Sequence, residues 1–150
     1  MIRKAAIKDI KEIQKLINSF AQKDLMLPRS LNELYEHIRD FFVYEEKKKI
    51  IGCAALHISW DDLVEIKSLA VDKEYQRKGR GKALAKACMQ EAKSLGAKKI
   101  FALTYVPEFF KEIGFKRIGH NKLPHKIWAE CINCPKFPDC RETAMIRRIS

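Results

Sequence analysis

One stretch of the sequence combines glycine with a high density of positive charge. In YQRKGRGKALAKACMQEA, residues 75–92, two glycines alternate with cationic residues and a helical apolar pattern follows directly. The glycines are Gly79 and Gly81, and the cations are Arg77, Lys78, Arg80 and Lys82. The first N–H groups of a helix have no partner within it, and its dipole is positive there. We therefore predict an anion site that suits a diphosphate, because glycines let phosphate approach the backbone while the cations neutralise it.

Two common phosphate-binding motifs do not match this stretch. A Walker loop needs a glycine where Gln76 stands and Ser or Thr where Ala83 stands. A dinucleotide-binding fingerprint needs a third glycine where Leu84 stands. The alternative is a basic helix start without any ligand, but cations are unfavourable at the positive end of a helix unless an anion is present.

The elements that position this loop follow from sequence periodicity. Residues 1–5 predict a short strand, and an amphipathic helix follows. Its apolar residues at helical spacing are Ile7, Ile10, Ile13, Leu16, Ile17 and Phe20. After Pro28, Ser30 and Glu33 match a capping box, which predicts a second helix from Leu31. Its inward-facing residues are expected to be Leu34, Tyr35 and Ile38.

Strand patterns surround the basic loop. FFVYEE and IIGCAALHISW predict two antiparallel strands, and the mostly apolar LVEIKSLAV predicts a central one. The third helix, which Gly96 ends, is expected to bury Leu84, Ala85, Cys88, Met89, Ala92 and Leu95. KKIFALTYV predicts a further strand, and a short helix is expected from Pro107 to Ile113, before Gly114. FKRIGH and TAMIRRI predict the last two strands. The order β-α-α-β-β-β-α-β-α-β-β predicts an α/β fold in one domain, residues 1–150.

Composition narrows the class of protein. The 150 residues carry a net charge of +11, which suits an acidic partner such as nucleic acid, an anionic membrane or a polyphosphate molecule. QRKGRGK contains no aromatic residue, and no nucleic-acid-binding motif is present, so we expect no nucleic-acid partner. No apolar stretch is long enough to span a bilayer and no signal peptide is evident, so we expect no membrane partner. The odd count of five cysteines fits a reducing compartment, and we expect a cytoplasmic protein.

QRKGRG, the IKSLAVDKEY before it and the PEFFKEIGF after it resemble the GCN5-related N-acetyltransferase (GNAT) superfamily. The resemblance implies the GNAT fold, a central mixed, mostly antiparallel sheet with helices on both faces. It also implies acetyl-CoA as acyl donor and no required metal. The backbone of Leu69, Ala70 and Val71 would pair with the pantetheine arm where this strand splays from its neighbour at a bulge. The remaining cofactor contacts that it implies are Gln76, Arg77, Lys78, Gly79, Arg80, Gly81, Lys82 and Phe110.

Acetyl transfer to an amine needs a base and an acid. Glu65 matches the position of a glutamate used as base in several relatives, and a carboxylate in an apolar strand is costly to bury without a partner. It would alternatively pair with Lys67 on the same strand face, and the two interpretations are compatible. Phe110 stands where many relatives have a tyrosine acid. Tyr105 is a substitute candidate for the acid, although an aromatic strand residue can instead be part of the core. Water, or direct return of the proton from the amine, could also protonate the leaving thiolate.

LMLPRSLNEL, GCAALHISWDDLVEIKSLAVDKEYQRKGRG, ALTYVPEFFKEIGF and KLPHKIWAEC together resemble the acetyltransferase domain of N-acetylglutamate synthases. This resemblance implies an amino acid as acceptor, L-glutamate first, and arginine biosynthesis as the setting. It implies Arg29 as carboxylate ligand, with Ser30 beside it, whereas Lys67 and Lys126 are weaker candidates. We expect no amino-acid-kinase-like domain in front. Another small amine or a peptide N-terminus is the alternative acceptor, and a homodimer stays open.

Three cysteines near the carboxyl end form a C-x-x-C-x5-C pattern, namely Cys131, Cys134 and Cys140. Thiols at this spacing suggest zinc, with His120 or His125 as fourth ligand. A redox or disulfide pair and inert thiols are the alternatives. Cys53 and Cys88 lie in apolar patterns and are expected in the core.

Overall fold

The computed structural model describes residues 1–119, 122 and 142–149. Within them, the strands are β1 (Ile2–Lys4), β2 (Phe41–Glu46), β3 (Lys49–Ile58), β4 (Leu63–Val71), β5 (Lys99–Thr104), β6 (Lys116–Arg117) and β7 (Thr143–Arg148). The α-helices are α1 (Ile10–Ala21), α2 (Leu31–Glu36), α3 (Arg80–Ser94) and α4 (Pro107–Glu112). The order of strands and helices predicted from the sequence is confirmed.

The strands form a seven-stranded sheet with the spatial order β1-β2-β3-β4-β5-β7-β6. β4 and β5 are parallel, whereas the other neighbouring strands are antiparallel. The parallel pair requires a crossover, which α3 provides. β4 is therefore central, as its apolar sequence predicts, and the basic loop begins at its carboxyl end.

Helices cover both faces of the sheet, as expected. α1 and α2 pack on one face, where Ile13, Ile17 and Leu34 meet Val43 and Cys53 in one buried cluster. α3 and α4 pack on the opposite face in a second cluster. Members of that cluster from the two helices are Leu84, Ala85, Cys88, Met89, Ala92 and Phe110. Because β4 contributes to both clusters, this strand lies between the two helical layers.

Three apolar residues expected in the core are exposed. Ile7 is 71 % exposed because a 3-10 turn, Ile7–Asp9, precedes α1 and shifts it off the buried stripe. Tyr35 is 42 % exposed because α2 has only six residues and buries one face through Leu34. Leu95 is 55 % exposed because α3 ends before it. Helical spacing alone does not show where a short helix stops.

The capping box predicted for α2 forms only in part. The backbone N–H of Glu33 donates to the Ser30 hydroxyl at 3.1 Å, as the motif requires. The Glu33 carboxylate accepts a hydrogen bond from Nε of Arg29 at 2.9 Å. Glu33 thus bonds to Arg29, four residues earlier, where the capping box would have it bond to the backbone of Ser30.

Among the described residues, no helix combines the length and the apolar character that crossing a membrane would need.

Candidate active site

The loop between β4 and α3 folds back against the end of β4. Asp72 accepts a hydrogen bond from the backbone N–H of Glu74 at 3.1 Å, and a 3-10 turn, Lys73–Tyr75, follows. The side-chain amide of Gln76 donates to the carbonyl of Val71 at 2.8 Å. These contacts fix the path by which the chain leaves the strand and enters the helix.

The N-terminus of α3 presents backbone donors to solvent. Its N-cap residue is Gly79, which has a φ of 80°, and no side chain of the described residues caps the helix. The N–H groups of the first turn are therefore available to an anion. A Cβ on Gly79 would meet nothing within 4 Å, so there is open space beside the N-cap residue. This geometry suits the diphosphate predicted from the sequence.

An aromatic ring packs against the start of α3. A Cβ on Gly81 would lie 3.3 Å from Cε2 of Phe109, so glycine allows this ring to approach the backbone. Phe110, which the resemblance assigns to the cofactor site, is 4 % exposed. It makes edge-to-face contacts with Phe109 and Phe115, both at 5.1 Å between ring centroids. The ring in contact with Gly81 thus belongs to Phe109, which our sequence argument missed.

The four cations of the loop have different surroundings. Arg80 donates from Nε and Nη2 to the Glu46 carboxylate at 2.8–3.0 Å and from Nη1 to the Tyr75 carbonyl at 3.2 Å. Lys82 pairs with Glu112 at 3.1 Å. Arg77 and Lys78 are exposed and form no ion pair with the described residues. Of these four cations, Arg77 and Lys78 are therefore unengaged within the described residues, whereas Arg80 is bound to Glu46 at the end of β2.

β4 separates from β5 along its carboxyl half. The two strands pair only at Leu63–Glu65, opposite Lys99–Phe101, whereas β4 continues to pair with β3 up to Val71. The β3–β4 register shifts next to Ser68, which has a φ of 55°. The register shift and this left-handed residue together indicate a β-bulge. The splay and bulge that the resemblance implies are both present, and they leave residues 69–71 facing a gap in the sheet.

Glu65 lies inside the sheet and is 5 % exposed. Its neighbours along β4, Val64 and Ile66, belong to the core beneath α3, so Glu65 lies on the opposite face, the one that carries α1 and α2. Its cross-strand partners are His57 on β3 and Phe101 on β5. Glu65 is also the last β4 residue paired with β5, and it therefore sits where the gap between the two strands opens.

Arg29 is 8 % exposed and connects α2 to the bulge of β4. Its Nε donates to the Glu33 carboxylate at 2.9 Å, and its Nη1 donates to the Ser68 hydroxyl at 3.1 Å. The guanidinium also lies over the ring of Phe41 at 5.2 Å. The sequence singled out Arg29 but not its partners Glu33 and Ser68. The i,i+4 spacing of Arg29 and Glu33 was the available signal for the first of them.

The other predicted site residues lie at different depths. Ser30 is exposed, and its hydroxyl is used as the cap of α2. Lys67 is partly buried on the same strand face as Glu65. Tyr105 directly follows β5 and is partly buried. The fold thus brings Glu65, Lys67 and Arg29 to β4 and its bulge, while Tyr105 comes from the adjacent strand.

The cysteines divide into two groups. Cys53 and Cys88 are fully buried, which confirms them as core residues, and burial raises the pKa of each thiol to about 12. Both are therefore protonated and unreactive at neutral pH. The predicted zinc or redox trio, Cys131, Cys134 and Cys140, lies outside the described residues, as do His120, His125 and Lys126.

Comparisons with known proteins agree with this geometry. Residues 7–115 match the model of the acetyltransferase (GNAT) family. An uncharacterized N-acetyltransferase of Chlorobaculum tepidum is 38% identical over 148 residues, 99% of this chain and 96% of the relative. An amino-acid acetyltransferase of Mycobacterium tuberculosis is 34% identical over 133 residues, 87% of this chain and 76% of the relative.

A solved structure extends the comparison. N-acetylglutamate synthase from Neisseria gonorrhoeae, complexed with coenzyme A and N-acetyl-glutamate, superposes with a TM-score of 0.92 at 30% sequence identity. The match covers 100% of this chain but only 35% of the synthase chain. Fold, uncapped helix N-terminus, splayed strand and sequence matches agree, and the chain therefore belongs to the acetyltransferase (GNAT) family, as an N-acetyltransferase with acetyl-CoA as its acyl donor.

Proposed function

We propose that the protein transfers the acetyl group of acetyl-CoA to the α-amine of an amino acid, with L-glutamate as the first candidate. The observation that carries this proposal is Arg29, a buried guanidinium bonded to the bulge of the strand that contains Glu65. A planar guanidinium is the side chain best suited to bind a carboxylate. The relative named amino-acid acetyltransferase and the synthase complexed with N-acetyl-glutamate support the same substrate class. With L-glutamate, the reaction would be the first step of arginine biosynthesis, as the sequence resemblance implies.

Acetyl-CoA, the acyl donor, would be bound mainly by backbone groups. The first-turn N–H groups of α3 would bind the diphosphate, and the exposed side chains of Arg77 and Lys78 would add positive charge. The edge of residues 69–71 that faces the gap would pair with the amide groups of the donor's arm. The donor supplies a thioester, whose carbonyl carbon can accept the amine.

On the acceptor side, Glu65 would take a proton from the amine, since only a neutral amine attacks a carbonyl. A bond forms between the amine nitrogen and the carbonyl carbon, the carbon–sulfur bond breaks, and the thiolate leaves. The thiolate then needs a proton, from Tyr105, from water or from the proton that the amine has lost. The buried Phe110 cannot supply it.

One observation favours another acceptor. The Glu33 carboxylate already occupies Nε of Arg29, so part of the fork is neutralised before any substrate binds. A second candidate is therefore a small amine without a side-chain carboxylate, or a peptide N-terminus.

A panel of acceptors tests the proposal through the coenzyme A thiol released. The panel contains the free L-amino acids, D-glutamate as stereochemical control, short peptides with a free N-terminus and simple amines, each compared with a reaction lacking acceptor. We expect the highest kcat/KM with L-glutamate. A higher value with a peptide or with an amine lacking a carboxylate would replace this assignment with the second candidate.

A further inference from the structure

Two histidines and an aspartate converge at the junction of α2 with the sheet. His37 is the C-cap residue of α2, Asp40 ends the 3-10 turn that follows (Ile38–Asp40), and His57 lies near the end of β3. Oδ2 of Asp40 lies 2.9 Å from Nδ1 of His57 and 3.7 Å from Nδ1 of His37. The three ligand atoms all lie within 4.8 Å of one another. The turn after α2 and the end of β3 thus bring three donor atoms close together.

The two distances from Asp40, one of them a hydrogen bond to His57, are near those between ligands of a single metal ion. Donor atoms bound at about 2.1 Å in a tetrahedron are about 3.4 Å apart, and the two separations from Asp40 lie on either side of this value. All three side chains are partly exposed, between 25% and 38%, so an ion can reach them from solvent and the rings have room to adjust. The centroids of the two imidazole rings lie 5.5 Å apart, and the rings meet edge to face.

The charge around the cluster is also suitable. Among the described residues, Asp40 forms no ion pair with lysine or arginine, and its carboxylate contacts the imidazoles of His37 and His57. A cation bound there would therefore displace no existing lysine or arginine partner. Two nitrogen donors and one oxygen favour Zn²⁺ or a similar transition-metal ion over Mg²⁺ and Ca²⁺, which prefer oxygen alone.

We infer that His37, Asp40 and His57 form a binding site for a divalent transition-metal ion such as Zn²⁺. Three protein ligands leave at least one coordination position for water or another small ligand. The ion would fasten the carboxyl end of α2 to β3. No step of the proposed acetyl transfer uses the ion, although His57 is the cross-strand partner of Glu65.

Metal titration of the full-length protein, with any histidine tag removed, tests the site. The predicted trio Cys131, Cys134 and Cys140 is replaced by serine in a parallel background, so that thiolate binding is identified separately. Co²⁺ serves as the spectroscopic probe, because nitrogen and oxygen ligands give visible bands without the near-ultraviolet band of cobalt–thiolate bonds. Zn²⁺ binding is measured by calorimetry and by the rise in Tm. We expect one ion per chain in both backgrounds, beyond any ion that thiolates bind.

Asp40→Asn and His57→Gln keep the side-chain shape but remove a ligand, and His37→Gln does the same for the third position. Each should weaken Zn²⁺ binding by more than about tenfold and abolish the rise in Tm. Asp61→Asn, at the exposed turn after β3, is the matched control and should bind like the parent. Because His57 lies on β3 and the other two positions lie in the turn after α2, one variant that fails to fold leaves two for the test. Unchanged affinity in the folded variants, or binding that requires the cysteines, would overturn the inference.

Discussion

At the scale of single residues, Glu65 is a carboxylate inside an otherwise apolar strand, at the point where β4 and β5 part. If it is the base, Glu65→Gln removes the proton acceptor but keeps the size and most of the packing. We expect kcat to fall by about 100-fold or more, with the affinity for acetyl-CoA nearly unchanged. Steady-state kinetics and calorimetric titration with coenzyme A measure the two effects. A variant with unaltered kcat would exclude Glu65 as the base.

Arg29 is the residue on which acceptor choice depends in our proposal. Arg29→Lys keeps the charge but loses the fork, so we expect the KM for the amino acid to rise at least about tenfold, with a smaller change in kcat. Glu33→Gln is the matched control, because it leaves the guanidinium in position and removes only its carboxylate partner. We expect this control to keep or lower the KM. Equal KM values for Arg29→Lys and the wild type would remove Arg29 from the acceptor site.

Arg29 and Glu65 were predicted as site residues because the family resemblance implies them, and Glu65 also because a carboxylate contrasts with its apolar neighbours in the strand. It did not reveal Ser68 or Glu46 as partners, since these contacts join residues 39 and 34 positions apart in the chain. Such contacts depend on how the strands and helices are arranged in the fold. Phe109 was missed for a related reason, because two adjacent phenylalanines in a short helix give no sign of which ring faces the loop.

At the scale of elements, the loop before α3 is attached to β2 through one ion pair. Arg80 and Glu46 are joined by charge-assisted hydrogen bonds, and the guanidinium lies 5.2 Å from the ring of Tyr75. Arg80→Ala and Glu46→Ala should therefore both displace the loop and raise the Kd for acetyl-CoA by similar factors, on the order of tenfold. Calorimetric titration of each variant and of the double variant measures this. A large effect of Arg80→Ala with none of Glu46→Ala would instead indicate direct contact between Arg80 and the donor.

The two glycines of the loop act by different physical means. Gly81→Ala would place a Cβ 3.3 Å from Phe109 and should weaken acetyl-CoA binding, because the ring must move away from the start of α3. Gly79→Ala meets no neighbour but forces alanine to a φ of 80°, so we expect a loss of about 1 kcal/mol in the free energy of unfolding. Urea unfolding and coenzyme A titration separate the two effects. Equal losses of stability without any change in binding would contradict this distinction.

At the scale of the whole molecule, a partly buried ion pair joins the first strand to the turn before α1. The Arg3 guanidinium donates to both oxygens of Asp9, at 2.7 and 3.1 Å, and this bonding lowers the pKa of the Asp9 carboxyl below its ordinary value. Because the pKa of Asp9 is lower in the folded state than in the unfolded state, the charged carboxylate stabilises the fold. This stabilisation is fully present at pH values above the unfolded-state pKa. The contribution is lost as the pH falls through the folded-state value.

Asp9→Asn should therefore destabilise the protein at pH 7 by about 1–3 kcal/mol, because a charged partner of Arg3 is lost. Below the ordinary aspartate pKa of 3.8, the difference from the wild type should shrink as Asp9 itself becomes protonated. Urea unfolding from pH 7 to pH 3 measures the difference, with Asp61→Asn as the exposed control. A difference that stays constant over this range would mean that the Asp9 charge does not stabilise the fold.

The element order was predictable along the chain because each strand and helix has a clear period and clear end residues. The resemblance implied helices on both faces of a mixed sheet, but the crossover between the parallel strands β4 and β5 was not predicted, since periodicity does not fix which strands are neighbours. Helix length was the weakest prediction, as the exposed Tyr35 and Leu95 show.

The hydrogen bond from Arg29 to the left-handed Ser68 has a consequence for how the two substrates interact. The same guanidinium proposed for the acceptor's carboxylate holds the bulge that opens the donor's slot. An acceptor that draws Arg29 toward itself would shift the strand edge against which the thioester lies. Each substrate should then change the affinity for the other by an equal factor, because thermodynamic coupling is reciprocal.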